Sequence, residues 1–550
     1  MGVVDADRVL AEATEAYSVA LGDRLVAAYA LGSLAHGGFS ELVSDIDLGL
    51  IVCDPLEPGD DERIQAVADA EKGKGSLHER LSVFWGTPTT LRGEREGGRF
   101  PPLDRLDLLE NGRLLLGTDA RARLPRPTTR ELAISGAAFA LEFLAGVEAA
   151  TAQQTSRLGS LRPAREDAIE EIRNPGLLVS RGVRRLTKLA LFPVRFLFTA
   201  ATGNVGTNED AVSWYLAKGT SPGRPLVRAA LAWRTAPPPD ATAAELLREQ
   251  IVPLYLHFID DHVSRLDALG EVELARAFEE WRRRLEMSEA EIVLDAFSSR
   301  RLIGLLSDRD PALDENRAYA IASEVHERRV ERGEKPVGRK IGFTNRAVWS
   351  QRGLDAPIWG YMYDATVHYA GGSAAPVEIG HLLQPRIEPE IQLHFARTPP
   401  VTRDETAILE CIDWIAHGFE LVQCPFLDWQ FRVVDAIAAC AVHGLLVIGP
   451  PVAVADIESC AAKLRSFTLT LSRNGEQQAT GGGKDVLDSP LLAFAHLAEV
   501  LARQTRFPPV QAGELVTTGT LTDLFPAAAG EHWSTTLEGI DLPGMSVTLA

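Results

Sequence analysis

The hydrophobic period changes twice along this chain, and no single core can follow both changes. From Met1 to about Leu124, apolar runs of strand length (RLVAAYALGS, SDIDLGLIV, RLSVFWGT) alternate with helical stretches, which predicts a small α/β domain over residues 1–124. The segment PRPTT, Pro125 to Thr129, punctuates. Over residues 125–286, ELAISGAAFALEFLAGVEAATA, VRRLTKLALFPVRFLFTA and ELLREQIVPLYLHFIDDHVSRLDAL place apolar residues three and four apart, the pattern of a helical bundle. Its breaks fall near Gly203 and at TAPPPDAT, where three consecutive prolines cannot continue a helix. Ser288 and Glu291 have capping-box spacing and open a third domain, residues 287–550. A helix from about Glu315 to Arg332, with Ala318, Ile321, Ala322 and Val325 on one face, stops at Gly333. Short β-like runs follow (IEPEIQLHF, ELVQC, GLLVIGPPV, FTLTLS, ELVTTGT), with one late helix in PLLAFAHLAEVLARQ. The fold class is multidomain: α/β, then helical, then α+β.

Composition narrows the class of function. The 550 residues hold two to four ordinary cores of roughly 100–200 residues. Hydrophobic residues at 45% and charged residues at 24% describe a globular protein. A formal charge of −20 argues against binding nucleic-acid backbone, which needs a basic surface to release counterions. Cys53, Cys411, Cys424, Cys440 and Cys460 include no CxxC pair, so neither a zinc knuckle nor a disulfide framework is indicated. The start, MGVVDADRVLAEA, lacks the pattern of a signal peptide. Glu142, Glu148, Lys188 and Arg195 interrupt the most apolar stretches, which stay short of the ~20 residues of a membrane span. The expectation is a soluble, cytoplasmic protein with no nucleic-acid partner and no membrane segment.

The most informative stretch is Arg386 to Phe395, RIEPEIQLHF. In a strand, Ile387, Pro389, Ile391, Leu393 and Phe395 point one way, while Glu388, Glu390, Gln392 and His394 point the other. Two carboxylates on one face repel unless a cation lies between them, and hard oxygen ligands suit Mg²⁺ or Mn²⁺. Glu420, in the apolar stretch HGFELVQC, is the natural third ligand, since an unpaired acid there is costly. An isolated ExE also fits a solvent-facing strand edge.

Context decides between them. GRKIGFTN from Gly338 to Asn345, PIWGY from Pro357 to Tyr361 with Tyr363-Asp364, then EPEI, FELV and AGELVTTGTLTDLFPAAAGE together resemble the fumarylacetoacetate hydrolase superfamily. They are most similar to its 2-keto-4-pentenoate hydratase and 4-oxalocrotonate decarboxylase branch. The resemblance spans Ser288 to Ala550 and implies a mixed β-roll. It implies Glu388, Glu390 and Glu420 as ligands of the divalent metal, Lys340 in acid/base chemistry and Asp364 in proton transfer or positioning. Thr518, Gly519 and Thr520 are the expected pocket lining. The implied partner is a small 2-oxo or 2-hydroxy-dienoic acid, and the family's habit implies a homo-oligomer. A partly desolvated Lys340 near the metal is expected to have its pKa drawn toward neutrality.

In the first domain, Gly32 and Ser33 end one strand run, and Asp45 and Asp47 alternate with apolar residues in SDIDLGLIV. Two acids on one strand face can grip Mg²⁺ on a nucleoside triphosphate, while glycine lets backbone amides approach phosphate. This GS…DxD spacing resembles the nucleotidyltransferase superfamily, aminoglycoside-adenylyltransferase-like group, with the following helices in the place of its acceptor-binding domain. The resemblance implies ATP with Mg²⁺ bound near Gly32, Ser33, Asp45 and Asp47. It departs in one respect: LSVFWGT has no third carboxylate, which leaves Asp107 or Glu79 to substitute, or a domain that binds nucleotide without transferring it. Two activities are therefore expected: a metal-dependent hydratase or decarboxylase in the last domain and, as the alternative, transfer of AMP to a hydroxyl of a small molecule such as an aminoglycoside.

Overall fold

The apolar runs near the N-terminus pair into one sheet because alternate residues of its central strands bury on opposite faces. The strands are β1 (Leu25–Leu31), β2 (Ile46–Val52), β3 (Leu81–Gly86) and β4 (Arg113–Gly117). Their order is β3-β2-β1-β4, parallel only between β2 and β3. Ala28 and Ala30 of β1 face a cluster completed by Val9, Leu10, Ala13 and Tyr17 of helix Gly2–Leu21, whereas Ala27, Tyr29 and Leu31 bury against Leu91 and Leu108. The computed structural model of the protein describes residues 2–146, 168–370 and 376–550, and the chain divides into two compact units, Met1–Glu286 and Met287–Ala550.

Helices Thr129–Leu144, Val183–Thr202, Arg224–Trp233, Asp240–Leu269 and Val272–Glu286 form the rest of the first unit around Phe196, Tyr255, Phe258, Phe278 and Trp281. The proline run acts as its chemistry requires: one helix ends at Trp233 and the next begins after Pro239. The end of the first helical stretch, Val147 to Ala152, lies outside the described residues. Helices and sheet pack within one unit: Arg105 Nη2 donates to Glu131 at 2.8 Å, and Arg184 and Lys188 both pair with Asp45.

The second unit opens on the capping box. Ser288 Oγ accepts from the Glu291 amide at 3.2 Å while Glu291 Oε2 accepts from the Ser288 amide at 2.8 Å. The following strands are β5 (Pro336–Gly342), β6 (Ile358–Tyr363), β7 (Val367–Tyr369), β8 (Arg386–Phe395), β9 (Ile412–Val422), β10 (His443–Ile448), β11 (Val452–Ala453), β12 (Thr468–Arg473), β13 (Glu476–Gly482), β14 (Leu515–Thr517), β15 (Phe525–Pro526), β16 (His532–Glu538) and β17 (Ser546–Thr548). A nine-stranded mixed sheet runs β6-β5-β14-β8-β9-β10-β7, with β11 on β9 and β15 on β8; a second sheet runs β13-β12-β16-β17. Ile387, Ile391, Leu393 and Phe395 of β8 enter the main core, where Phe395 meets Phe494 of helix Pro490–Arg503 at 4.5 Å. The opposite face of β8 is thereby left for its acids. Among the described residues, no helix is long and apolar enough to cross a membrane.

Replacing Ser288 with Ala removes one half of the capping box and is expected to destabilise the second unit by about 1 kcal/mol in urea unfolding. An unchanged midpoint would show that packing alone holds this helix end.

Candidate metal centre and the acid cluster of the first unit

Residues directly paired across neighbouring strands share a face of the sheet. The β8–β9 register sets Glu388 opposite Glu420, Glu390 opposite Gly418 and Gln392 opposite Ala416. On the other side of β8, Thr517 of β14 stands opposite Gln392, and Lys340 of β5 stands opposite Thr517. Glu388, Glu390, Glu420, Gln392, Thr517 and Lys340 therefore project from one face, although they come from four strands.

One ligand oxygen from each of Glu388, Glu390 and Glu420 lies within 4.8 Å of the others. Glu390 and Glu420 are fully buried and Glu388 is half-buried, so the cluster opens toward solvent on the Glu388 side. Lys340 Nζ reaches Glu420 Oε2 at 3.0 Å. The other oxygen of Glu420 accepts from His443 Nδ1 at 2.7 Å, and His443 Nε2 meets Thr366 Oγ1 at 2.9 Å. Gly519 donates its amide to Glu390 Oε2 at 3.1 Å. It does so at φ +95°, where an added Cβ would stand 2.1 Å from Thr344 Oγ1. One buried carboxylate oxygen, Glu390 Oε1, has no hydrogen bond, and Glu420 Oε2 has only its ion pair with Lys340.

Electrostatics follow from this crowding. Burial pushes Glu388 up to about 7 against the pull of Lys340, with Glu420 adding to the rise. Burial and the charges of Glu420 and Glu388 hold Glu390 well above the usual carboxylate range. Glu420 goes the other way: burial would raise it, but Lys340 and His443 outweigh burial. For Lys340, burial works against the charge, yet Glu420, Glu388 and Glu390 together hold the ammonium above its ordinary value. Without a cation in the cluster, three carboxylates thus outweigh desolvation at Lys340. A hard divalent cation fits this donor set: it takes up the orphaned Glu390 oxygen and makes three adjacent negative charges tolerable.

Other expected residues lie at varying remove. Asp364 is exposed, its carboxylate accepting from the Lys335 amide at 3.0 Å. Thr518 spends its hydroxyl on the Ile391 carbonyl at 3.1 Å and Thr520 on the Thr522 carbonyl at 2.9 Å. The neighbouring Thr517, inside the same motif but not singled out there, faces the acids. His443 and Thr366 are also invisible in the sequence, since a single histidine before the run GLLVIG has no distinguishing pattern. Cys440, Ala441 and Val442 precede His443 with φ of 57°, 53° and 55°, a left-handed turn that non-glycine residues rarely adopt. Gly360 makes room for it, since a Cβ there would stand 2.4 Å from the Cys440 carbonyl oxygen.

In the first unit, Gly32 has φ +60° and donates its amide to Asp107 Oδ2 at 2.6 Å, while a Cβ on it would stand 2.3 Å from Asp47 Oδ2. Ser33 follows, half-buried, in the short helix Gly32–His36. Burial pushes Asp47 up to about 8, with Asp45, Asp104 and Asp107 adding to the rise. Asp104 rises to about 7 through burial and Asp107. Asp45 is held low, because Lys188 and Arg184 outweigh its burial. No acid comes from β3; helix Pro102–Asn111 brings Asp107 to Gly32, and Glu79 is exposed.

Two outcomes follow for the second unit. Glu388 and Glu390 hold protons in the folded, metal-free protein that the unfolded chain has already released, so their contribution weakens stability as pH rises from the ordinary carboxylate value past about 7. Mn²⁺ removes that penalty, and its gain in melting temperature is expected to be larger at pH 8 than at pH 5; an equal gain at both would contradict the shifts. His443→Phe, which removes the bond to Glu420, is expected to weaken Mn²⁺ affinity about 10- to 100-fold by calorimetry. Unchanged affinity would make His443 a packing residue.

Residues 323–542 match the family described as fumarylacetoacetate (FAA) hydrolase, C-terminal. The chain is 30% identical over 256 residues to the 2-hydroxyhexa-2,4-dienoate hydratase of Comamonas testosteroni, covering 46% of this chain and 94% of that protein. It is 32% identical over 254 residues to the 2-keto-4-pentenoate hydratase of Paraburkholderia xenovorans (strain LB400), covering 46% and 90%. Among solved structures, 4-oxalocrotonate decarboxylase from Pseudomonas putida G7, complexed with magnesium and adipate, is 26% identical with a TM-score of 0.44, covering 48% of this chain and 96% of that one. Through its second unit, the chain belongs to the fumarylacetoacetate hydrolase family.

Proposed function

We propose that the second unit is a divalent-metal-dependent lyase that hydrates 2-hydroxy-2,4-dienoates or decarboxylates closely related 2-oxo acids. The observation that carries this reading is the convergence of Glu388, Glu390 and Glu420 within 4.8 Å, with the Lys340 ammonium 3.0 Å from Glu420. The hydratase names of the curated relatives support a dienoate as substrate. When bound, a divalent cation supplies a Lewis acid where negative charge develops on the 1-carboxylate and 2-oxygen of the substrate.

The chain's own residues do the rest. Glu388, Glu390 and Glu420 hold the cation, and the Gly519 amide and His443 fix the orientation of two of them. The Lys340 ammonium gives a proton to C5 and takes one back from the 2-hydroxyl, converting the dienol to a 2-oxo-3-enoate. Water then adds, oxygen to C4 and hydrogen to C3, giving a 4-hydroxy-2-oxo acid. Loss of CO₂ from a vinylogous 2-oxo acid draws on the same electron sink. Mg²⁺ and Mn²⁺ both suit the oxygen donors.

A second reading belongs to the first unit: transfer of AMP from ATP to a hydroxyl of a small molecule. The observation favouring it is that Asp107 reaches Gly32 from a helix and Asp47 lies against the same glycine. Arg184 and Lys188 now hold Asp45, and a nucleotide with Mg²⁺ must draw that carboxylate away from them.

The ultraviolet absorbance of 2-hydroxypenta-2,4-dienoate is expected to fall with the full chain and Mg²⁺, and not with Glu390→Ala, which should also lose metal binding. Asp45→Ala should leave this activity unchanged while removing ATP-dependent pyrophosphate release. Persistent dienoate absorbance across several dienoates would reject the lyase reading, and the absence of both ATP binding and pyrophosphate release would reject the transferase.

A further inference from the structure

Two buried polar atoms on the carboxylate face remain once the three glutamates and Lys340 are accounted for. Gln392 and Thr517 are paired across β8 and β14, both fully buried; Gln392 Oε1 makes no hydrogen bond, and the Thr517 hydroxyl has no partner but the Glu390 carboxylate beside it. The orientation of the Gln392 amide is set by its own strand: Nε2 donates to the Glu390 carbonyl at 3.1 Å, which turns the oxygen the other way. That oxygen faces the place where residue 418 has no side chain, since a Cβ on Gly418 would stand 2.9 Å from it. A buried acceptor left without a donor is costly unless a ligand completes it.

The surroundings define that ligand's charge. Met362, Ala416, Leu446, Ile448 and Leu515 make a buried apolar cluster on this face. Lys340 is committed to Glu420, and His394, farther along β8, is bound to Asp413 at 2.6 Å. Among the described residues of this face, no free cation stands beside Gln392 and Thr517 to meet a second carboxylate.

We propose that Gln392 and Thr517 form a subsite for one neutral oxygen: the water that adds at C4 and the hydroxyl it becomes. The inference rests on the lyase reading above. One same-face step along β8 is about 7 Å, the scale of a five-carbon acid held at the glutamates by its 1-carboxylate and 2-oxygen. Gln392 Oε1 accepts a hydrogen bond from the water and turns an oxygen lone pair toward C4. The C4–O bond forms as the C3–C4 π pair moves toward the 2-oxo group; C3 is then protonated and the water loses one proton, so that one H₂O is added with no oxidant or reductant. A neutral, apolar-flanked subsite selects hydration of monocarboxylic dienoates over loss of CO₂ from a dicarboxylate.

The test uses the Mg²⁺-loaded full chain and three ligands titrated by calorimetry: 4-hydroxy-2-oxopentanoate, 2-oxopentanoate and 2-oxoadipate. The hydroxy acid is expected to bind about tenfold more tightly than 2-oxopentanoate, the worth of one or two satisfied hydrogen bonds, and 2-oxoadipate more weakly than either. Gln392→Met and Thr517→Val should erase the preference, Thr517→Ser should keep it, and Mn²⁺ affinity should stay constant in all three variants. In deuterium oxide, the first two variants should still place deuterium at C5 of 2-hydroxypenta-2,4-dienoate while 4-hydroxy product falls about tenfold or more. Equal affinities in the wild type, tighter binding of 2-oxoadipate, variants that keep the preference, or variants that lose Mn²⁺ would each overturn the subsite. Wild-type hydration with unchanged variants defeats the subsite alone; a wild type that neither exchanges nor hydrates defeats it together with the lyase reading.

Discussion

Three carboxylates forced onto one face of a buried sheet are the constraint around which the second unit is arranged. β8 and β9 cannot keep Ile387, Ile391, Phe419 and Leu421 in the core without turning Glu388, Glu390 and Glu420 to the other side. Their mutual repulsion is met by Lys340 from β5, by His443 from β10 and by the Gly519 amide after β14. Each of those groups depends on a backbone feature of its own. Gly519 is left-handed against Thr344, His443 follows a left-handed turn of three non-glycine residues, and Gly360 gives that turn room. Strain of this kind persists where the surrounding packing over-determines it, as it does next to a charged site.

The two units meet the same problem differently. In the first, Asp45 has two cations of the protein's own, Arg184 and Lys188, while Asp47 and Asp104 respond by shifting toward the protonated form. In the second, among the described residues, Lys340 is the one ammonium facing three carboxylates, and two of the three are pushed toward protonation. The balance of charge within the second cluster is the stronger argument for an added cation, because more negative charge is left there than the protein itself offsets.

Much of this was legible from residue order wherever chemistry and period coincide. The alternation in RIEPEIQLHF places the acids of β8 on one face, and an acid inside an apolar run marks Glu420. The capping spacing of Ser288 and Glu291 marks the opening helix of the second unit. What stayed hidden depends on register. Thr517 rather than Thr518 faces the carboxylates because β14 pairs Thr517 with both Gln392 and Lys340, and no local pattern reveals which of two adjacent threonines does so. His443 is hidden for a similar reason: its partner lies 23 residues away on the neighbouring strand.

The central claim is that one hard cation completes the cluster of Glu388, Glu390 and Glu420. Anomalous diffraction from crystals of the full chain grown with Mn²⁺ tests it directly. The account requires a single strong peak about 2.0–2.6 Å from an oxygen of each glutamate. A peak elsewhere, or none at all, would contradict it.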